Sequence, residues 1–347
     1  MAKMTPKERE QAMRDGVRPD RMPVWQINGI VASHHYGHLW DDIRKDNKLL
    51  VEVTRKFARE VGVDILNQGG EPNSVVMDLP GVEVTFPKDN YSNVMNHYFV
   101  EPEDVEKKEL YDPWDRKQAP KLWDGHLSAV IDLAKVEKDY FVPNGTWGVI
   151  TMAGFLRNVE TLLMDFMLEP DLAHKAIERA AKLSTEVVKV GLDGGCQTAM
   201  YGDPTSSGSL ISEDDYNEFV FPHMKKAIKE FKKYGAPTYL HVCGDVLPVI
   251  NAIKNLKLTM FSFDYMNDVS KMVEIVDDRF TLAGNLNPMD VIWMGTPEKV
   301  DKAAKEVIEK VGDARFVLAT GCETPRDTPI ANLQAMKTAV EKYAVYK

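Results

Sequence analysis

Hydrophobic and polar residues alternate along this chain in segments of two lengths. Short apolar runs of about five or six residues are typical of buried strands, and longer stretches with an apolar residue every three or four positions are typical of amphipathic helices. Residues 47–61 show the helical pattern, with one stripe formed by Leu49, Leu50, Val53, Phe57 and Val61. From residue 196 onward the two kinds of segment follow each other regularly, which predicts repeated strand–helix units.

Eight apolar runs have the length and composition of strands. They cover residues 22–27, 63–67, 146–151, 196–201, 237–242, 258–263, 280–284 and 315–320. Eight strands separated by helices are what a closed (β/α)8 barrel requires. The chain contains no GxGxxG or P-loop motif for a nucleotide. We therefore predict an α/β protein in which residues 1–347 form a single TIM-barrel domain.

Two segments lie outside the strand–helix repeat. Thr5 followed by Pro6 predicts a helix at the N-terminus, because proline is common at the first helical position. Residues 74–100 interrupt the repeat, and within them residues 82–86 alternate apolar and polar after a Pro-Gly turn. This alternation predicts a small antiparallel insertion in the barrel.

Composition restricts the function further. The chain has 347 residues, of which 44% are hydrophobic, so it can bury a large core. Its net charge of −10 makes nucleic acid an unexpected partner, because phosphate contacts need clustered lysine and arginine. Three cysteines, an odd number in a long chain, favour a reducing cytoplasm over a disulfide framework. Since no apolar run approaches the roughly 20 residues that span a bilayer, we expect a cytoplasmic protein without a membrane partner.

The sequence Tyr-Leu-His-Val-Cys-Gly-Asp at residues 239–245 carries the clearest chemistry. His241 and Cys243 are two positions apart in an apolar run, so on a strand their side chains point to the same face. An imidazole beside a thiolate is half of a tetrahedral zinc site. Cys322 follows the last predicted strand in a similar Gly-Cys setting. Because free cysteines are also common as buried structural residues, spacing alone leaves both interpretations open.

The predicted barrel favours the metal interpretation. In such barrels the active site lies at the carboxyl ends of the strands. Polar residues gather just past the predicted strand ends, namely Asn28, Asn67, Asp203, His241, Cys243, Asp264, Asn285 and Cys322. His241, Cys243 and Cys322 would then line one mouth of the barrel. Asp264 is a candidate fourth ligand or a carboxylate behind the ligands, and the alternative is that it only caps a loop.

Several segments resemble a known protein family. They are GDPTSSGSLISEDDYNEFVFP at 202–222, HVCG at 241–244, AGNLNP at 283–288, GTPEKV at 295–300 and GCETP at 321–325. On these segments the chain resembles the uroporphyrinogen decarboxylase superfamily, and within it the zinc-dependent methyltransferases of corrinoid systems. The resemblance extends over essentially the full length. It implies zinc bound by His241, Cys243 and Cys322, and a catalytic role for Asp264 as an acidic group that leaves the metal when substrate binds.

The decarboxylase branch of the superfamily fits this sequence less well. Its arginine-rich RQAGR segment, which binds the carboxylates of the tetrapyrrole, is replaced here by residues 26–31 without an arginine. Its Gly-His-Gly near the last strand is replaced by Gly321, Cys322 and Glu323. We therefore expect methyl transfer, with a porphyrinogen decarboxylase or a non-catalytic module that binds corrinoid proteins as alternatives. The chain has no DxHxxG-type cobalamin motif, so the resemblance implies a corrinoid (cobalamin) supplied by a partner protein.

Aromatic and methionine residues near the predicted strand ends bear on the substrate. They are Met22, Trp25, Tyr36, Trp40, Trp147, Met152, Tyr201 and Met266. A pocket lined by them would suit a methoxylated aromatic compound, whose methyl group would pass to the corrinoid protein. No lysine or arginine immediately follows the fourth to sixth predicted strands to hold a sulfonate, although Arg326 lies near Cys322. We expect ether demethylation, with methyl transfer from methylcobalamin to a thiol of the coenzyme M type as the alternative.

The substrate itself is expected to contact residues at the strand ends. We predict six substrate-binding residues, namely Asn28, Asn67, Trp147, Tyr201, Asp203 and Asn285.

Overall fold

The computed structural model describes residues 3–67 and 70–346. Its centre is a curled parallel sheet of seven strands in the order β1-β9-β8-β7-β6-β5-β4. The strands are β1 Val24–Trp25, β4 Pro143–Trp147, β5 Thr198–Gly202, β6 Thr238–Val242, β7 Met260–Phe263, β8 Thr281–Leu286 and β9 Phe316–Thr320, with an antiparallel pair formed by β2 Val84–Thr85 and β3 Asn93–Val94. The α/β architecture with a curled parallel sheet confirms the predicted fold class.

Helices surround this sheet. The α-helices are α1 Pro6–Arg14, α2 Gly29–His35, α3 Trp40–Ile43, α4 Asn47–Val61, α5 Asp104–Lys107, α6 Pro120–Leu122, α7 Ser128–Val136, α8 Val149–Arg157, α9 Val159–Leu168, α10 Pro170–Asp193, α11 Glu213–Asp215, α12 Phe221–Lys233, α13 Ile250–Ile253, α14 Val269–Val276, α15 Pro297–Val311 and α16 Ile330–Tyr343. Short 3₁₀ turns cover Pro72–Val76, Pro204–Ser206 and Leu247–Val249, and π-helical turns cover Trp123–Leu127, Tyr216–Val220 and Pro288–Trp293.

The prediction of a second strand at residues 63–67 is wrong, because this segment does not form a strand. Asp64 donates its N–H to the carbonyl of Val24 at 2.8 Å, but its own carboxylate accepts the N–H of Val24, also at 2.8 Å. A side chain therefore occupies the backbone donor of β1 that a neighbouring strand would use. The segment still fills the space between β1 and β4, because Ile65 is buried inside the barrel. The described sheet consequently has seven strands and not eight.

The barrel interior is filled by large and small hydrophobic side chains from the strands and from two flanking segments. This inner cluster consists of Met13, Trp25, Ile65, Met200, Tyr239, Met260, Ala283, Val317 and Ala319. Successive side chains of a strand point to opposite faces, so the residues next to these in sequence face the surrounding helices. This alternation decides which residues at the strand ends reach the barrel mouth.

The predicted N-terminal helix is present as α1. Thr5 and Glu8 form a reciprocal capping box at its start. At its other end the Arg14 guanidinium donates to the carbonyl of Gln197 and to the hydroxyl of Tyr239, both at 3.2 Å, and also bonds the Thr198 hydroxyl. Because these partners lie at the beginnings of β5 and β6, α1 covers the end of the barrel opposite the strand carboxyl ends.

Several predicted boundaries need correction. The third strand was expected at residues 146–151, but β4 ends at Trp147 and α8 begins at Val149. Asn158, whose φ is 77°, separates α8 from α9. The insertion at 74–100 contains the short β2–β3 ribbon. That residues 1–347 form a single domain stays a prediction. Within the described ranges, no helix is long and apolar enough to cross a membrane.

Candidate metal centre

His241, Cys243 and Cys322 meet at the carboxyl ends of β6 and β9. The Nε2 atom of His241 lies 3.0 Å from the Sγ atom of Cys243, and this sulfur lies 3.0 Å from the Sγ atom of Cys322. The three potential ligand atoms all lie within 4.8 Å of one another. Both cysteines are free thiols. The fold therefore brings the two cysteine loops, separated by 79 positions in sequence, to one point.

The histidine ring is held in place by the neighbouring strand. Its Nδ1 atom lies 3.0 Å from the Ser262 hydroxyl, and Ser262 stands beside His241 in the β6–β7 register. A hydrogen bond at one ring nitrogen fixes the orientation of the other, which here faces the two sulfurs. One imidazole nitrogen and two thiol sulfurs at this spacing are a donor set typical of zinc with a further position open for substrate.

The two thiols influence each other's protonation. The pKa of Cys322 is lowered by the hydrogen bond from Cys243 and by the nearby His241. The pKa of Cys243 is raised by its hydrogen bond to Cys322 and by burial. The pair therefore loses one proton readily and the second with difficulty, because two thiolates would repel each other. A divalent cation removes this repulsion, so the electrostatics of the pair also fit a zinc ion.

Glycines beside the two cysteines allow the loops to approach. Gly244 follows Cys243 with a φ of +80°, which favours glycine. A Cβ atom added at Gly321 would lie 2.6 Å from the backbone nitrogen of Tyr265, a distance that real side chains do not tolerate. The glycine of HVCG is thus explained by its backbone conformation, and the first glycine of GCETP by its close packing against Tyr265.

Asp264 lies behind the three ligands. Its Oδ2 atom accepts the N–H of Gly244 at 2.9 Å and its Oδ1 atom accepts the N–H of Tyr265 at 2.7 Å. Burial raises its pKa, while these backbone donors lower it. Among the described residues, the potential ligand atoms that lie within 4.8 Å of one another belong to His241, Cys243 and Cys322, and Asp264 is not part of this group. The geometry therefore corresponds to a carboxylate that holds the Cys243 loop.

Asn285 supports the same loop and lies outside the cavity described below. Its side-chain amide donates to the backbone carbonyls of Asn267, at 2.8 Å, and of Asp264, at 3.3 Å. The Asn267 side chain in turn donates to the carbonyl of Gly244 and accepts the N–H of Val246, both at 2.8 Å. The side chain of Asn285 is thus used in a hydrogen-bond network beneath the Cys243 loop, and substrate binding by Asn285 stays a prediction.

A cavity of about 390 Å³ opens onto His241, Cys243 and Cys322. Its apolar wall is formed by Ile27, Pro72, Trp147, Met200 and Pro204, and its polar side chains are Asn67, Asn73, Tyr91, Thr146 and Glu323. Larger grooves of about 560 and 590 Å³ run over the outer helices, away from the strand ends and from the cysteines. The cavity at the cysteines is therefore the candidate active-site cavity, because it contains the potential metal ligands. Its size suits a small organic molecule.

Glu323 and Tyr91 form the polar side of this cavity. The Tyr91 hydroxyl donates to Oε1 of Glu323 at 3.2 Å. Burial and the neighbouring Cys322 raise the pKa of Glu323 to about 7. Burial also raises the pKa of Tyr91. Neither residue was predicted as a site residue, although Glu323 directly follows Cys322 in the sequence. Tyr91 lies in the irregular insertion, where no periodic pattern indicates which side chains point inward.

Two of the predicted substrate residues, Asn67 and Trp147, line the cavity. The indole N–H of Trp147 donates to Oδ1 of Asn73 at 2.9 Å, which fixes the ring against the cavity wall. That Asn67 and Trp147 bind the substrate stays a prediction.

Tyr201 and Asp203 do not reach the cavity. The Tyr201 hydroxyl lies 3.2 Å from the hydroxyl of Thr185 on α10, on the outer face of the sheet. Asp203 is fully buried and accepts the N–H of Thr151 at the start of α8, at 2.8 Å, and burial raises its pKa to about 6. Met200 and Gly202 line the cavity instead, because side chains alternate along the strand.

The same alternation places the Asn28 side chain outside the cavity, and substrate binding by Asn28 stays a prediction. It is buried and donates to Gln26, whose amide donates to the carbonyl of Leu333 on α16. These residues face the outer helix, whereas Ile27 between them lines the cavity. Of the aromatic and methionine residues expected around the substrate, Trp147 lines the cavity, and Trp40 and Met152 are buried in the core outside it.

Comparison with known proteins agrees with this architecture. Over 99% of its length, the chain is 24% identical to the methylcobamide:CoM methyltransferase MtbA of Methanosarcina mazei, of which it covers 99%. It is 25% identical to the methylated-thiol–coenzyme M methyltransferase of the same organism, covering 99% of this chain and 90% of that protein. A solved structure described as a methyltransferase from Methanosarcina mazei superposes with a TM-score of 0.83 at 21% identity, covering 98% of this chain and 99% of that one. The profile of the family described as uroporphyrinogen decarboxylase (URO-D) matches residues 5–343, so the chain belongs to this family.

Proposed function

We propose that the chain is a zinc-dependent methyltransferase that moves a methyl group between the cobalt of a corrinoid and the sulfur of a small thiol. The observation that carries this proposal is the convergence of one imidazole and two thiols at the end of a cavity. The relatives named above, whose descriptions mention methylcobamide, methylated thiols and CoM, support a thiol as the second substrate.

Each part of the site has a separate task in this reaction. His241, Cys243 and Cys322 would hold the zinc ion, which would keep a bound substrate thiol as thiolate at neutral pH or polarise the oxygen of a methyl ether. Ser262 orients the imidazole. Asp264 holds the Cys243 loop, and a catalytic role for its carboxylate is part of this proposal. The apolar wall around Trp147 and Met200 would limit the access of water to the substrate sulfur.

The corrinoid is a substrate carried by a partner protein in this proposal. In-line methyl transfer requires the cobalt, the methyl carbon and the acceptor atom to lie on one line. The acceptor would be held at the bottom of the cavity, so the corrinoid protein must dock over the carboxyl ends of the strands.

Demethylation of a methoxylated aromatic compound, the reaction expected from the sequence, is a second candidate. The aromatic side chains of Tyr91 and Trp147 on the cavity wall favour it. The named relatives favour a thiol substrate. A porphyrinogen is disfavoured, because its many carboxylates would find no lysine or arginine among the described residues of the cavity wall.

The proposed function is tested by following methylcobalamin at its visible absorbance in the presence of the zinc-loaded protein and small thiols. We expect loss of the methyl–cobalt signal and formation of the methyl thioether, which stop after zinc removal by a chelator and resume when zinc is added. A parallel assay offers methoxylated aromatics to reduced cobalamin. Failure of the thiol assay with fully zinc-loaded protein would reject the proposed function, and failure of the methoxyarene assay would reject the second candidate.

Replacing Asp264 by alanine is expected to lower zinc affinity by about tenfold and to reduce turnover, because the Gly244 and Tyr265 N–H groups lose their common acceptor. Zinc affinity is measured by competition with a chelator of known strength. The matched control is Asp268→Ala, which removes the N-cap of α14 and leaves the ligand loops intact. Unchanged zinc affinity and unchanged turnover in Asp264→Ala would show that this carboxylate has no role in the site.

A further inference from the structure

The described residues that line the cavity include no lysine or arginine. Besides His241 and the two cysteines, which would be the zinc ligands, the cavity has one carboxyl group, that of Glu323. Whether protonated or ionised, Glu323 supplies no positive charge. A zinc ion held by two thiolates would have its double charge cancelled by its own ligands.

Arg326 follows Cys322 by four positions and was the one cation expected near the site. Its guanidinium bonds Asp89 at 2.6 Å and Asp327 at 3.4 Å. It is exposed, and it does not line the cavity. Two carboxylates therefore neutralise Arg326 at the surface. Its guanidinium is used in these ion pairs and does not bind an anion in the cavity.

Most hydrogen-bond donors of the cavity are also occupied. The Tyr91 hydroxyl donates to Glu323, and the indole N–H of Trp147 donates to Asn73. The side-chain amide of Asn73 donates to the carbonyl of Ser92 at 2.7 Å. A sulfonate or carboxylate in this cavity would lose its hydration shell without gaining comparable donors, and burying an unpaired charge is strongly unfavourable.

We propose that this cavity selects uncharged substrates with an apolar body and discriminates against thiols that carry a sulfonate or a carboxylate. This inference rests on the proposed function and specifies its substrate class. An uncharged alkyl or aryl group would pack against Trp147 and Met200, and a single hydroxyl or ether oxygen would find the side chains of Asn67 and Thr146.

Three thiols with a common two-carbon core test this proposal: 2-mercaptoethanesulfonate, 2-mercaptoethanol and 1-propanethiol. Their affinities for the zinc-loaded full chain are measured by calorimetry, which does not depend on turnover. We expect each neutral thiol to bind at least tenfold more tightly than the sulfonate. An affinity for the sulfonate within tenfold of the neutral thiols, or no detectable binding of the neutral thiols, would overturn the proposal.

A variant that adds a cation provides the second test. Asn67→Arg places a guanidinium on the cavity wall and is expected to reduce the preference for neutral thiols by at least tenfold. The matched control is Asn255→Arg at an exposed position after α13, for which the preference stays as in the wild type. If Asn67→Arg leaves the preference unchanged, the lack of a cation is not its cause and the inference fails.

The two proposals fail in different ways. Binding that favours neutral thiols without any methyl transfer to or from cobalamin would reject the proposed function and retain the selectivity. Methyl transfer that proceeds best with 2-mercaptoethanesulfonate would retain the proposed function and reject the selectivity.

Discussion

Replacing Cys322 by serine is expected to remove zinc from the protein and to lower methyl transfer by more than about 100-fold. A serine hydroxyl keeps its proton at neutral pH, so it cannot replace a thiolate as a ligand to zinc. The substitution also removes the partner whose sulfur lies 3.0 Å from Cys243. Zinc per chain is measured by elemental analysis, and transfer by the decrease in methylcobalamin.

The third cysteine provides the control for this variant. Cys196 is buried, with its sulfur 3.7 Å from the carbonyl of Val130. Burial raises its pKa to about 12, so it is a protonated structural thiol. Cys196→Ala is expected to keep one zinc per chain and at most to lower stability. Full zinc content in Cys322→Ser would mean that this sulfur is not a ligand, and the site would have to be reassigned.

The part of the site that the sequence predicts best is the part fixed by local geometry. His241 and Cys243 are two positions apart on a strand, so they share a face in any strand at that place. Cys322 was expected beside them because carboxyl ends of parallel strands meet at one end of a barrel. Both arguments hold in the structure, where the three ligand atoms lie together.

The substrate residues were harder to predict because a strand end offers two faces. Asp203 was chosen for its polarity and its place after β5, yet its side chain faces the start of α8. Asn28 likewise faces the outer layer of helices. Which face of a strand points into the barrel depends on how the strand pairs with its neighbours in the sheet, and these neighbours are distant in sequence. Tyr91 comes from an insertion without periodicity, so its contact with Glu323 could not be derived from a pattern.

Helices with one polar and one apolar face were predicted correctly from the sequence. The pattern of residues 47–61 matches α4 at both ends. The beginning of α8 was taken for a strand because eight of its nine residues are buried, so the sequence shows a continuous apolar run without a stripe. A helix buried on all sides cannot be distinguished from a strand by periodicity over a few residues.

Residues 63–67, which replace the second predicted strand, are held by a buried carboxylate whose ion pairs lead to the second large prediction. Asp64 is buried and bonds two buried arginines, with Arg9 Nη1 at 2.5 Å and Arg21 Nη1 at 2.7 Å. It also accepts the N–H of Val24. This carboxylate thus joins α1, β1 and the segment that replaces the second strand and leads to Asn67 at the cavity.

Asp64→Asn is expected to lower the free energy of unfolding by about 3–5 kcal/mol, because a buried ion pair loses one partner and leaves the other charge uncompensated. Arg9 retains Asp20, with its Nε 2.7 Å from the Asp20 carboxylate, whereas Arg21 retains no carboxylate among its described hydrogen bonds. Urea denaturation of the zinc-loaded protein at neutral pH measures the loss. The control Asp313→Asn breaks a pair with Arg18 in which the aspartate side chain is 97% exposed, and a change below about 0.5 kcal/mol is expected there.

A double variant separates the charge from the loss of packing. If the uncompensated guanidinium of Arg21 causes the destabilisation, then Arg21→Met combined with Asp64→Asn is expected to recover roughly 1–2 kcal/mol relative to Asp64→Asn alone. An apolar side chain of similar length needs no counter-ion in this buried place. A double variant that is less stable than Asp64→Asn would show that the Arg21 side chain contributes mainly through its hydrogen bond to the carbonyl of Met22, which is 2.8 Å long. The explanation of the destabilisation by an uncompensated Arg21 charge would then be wrong.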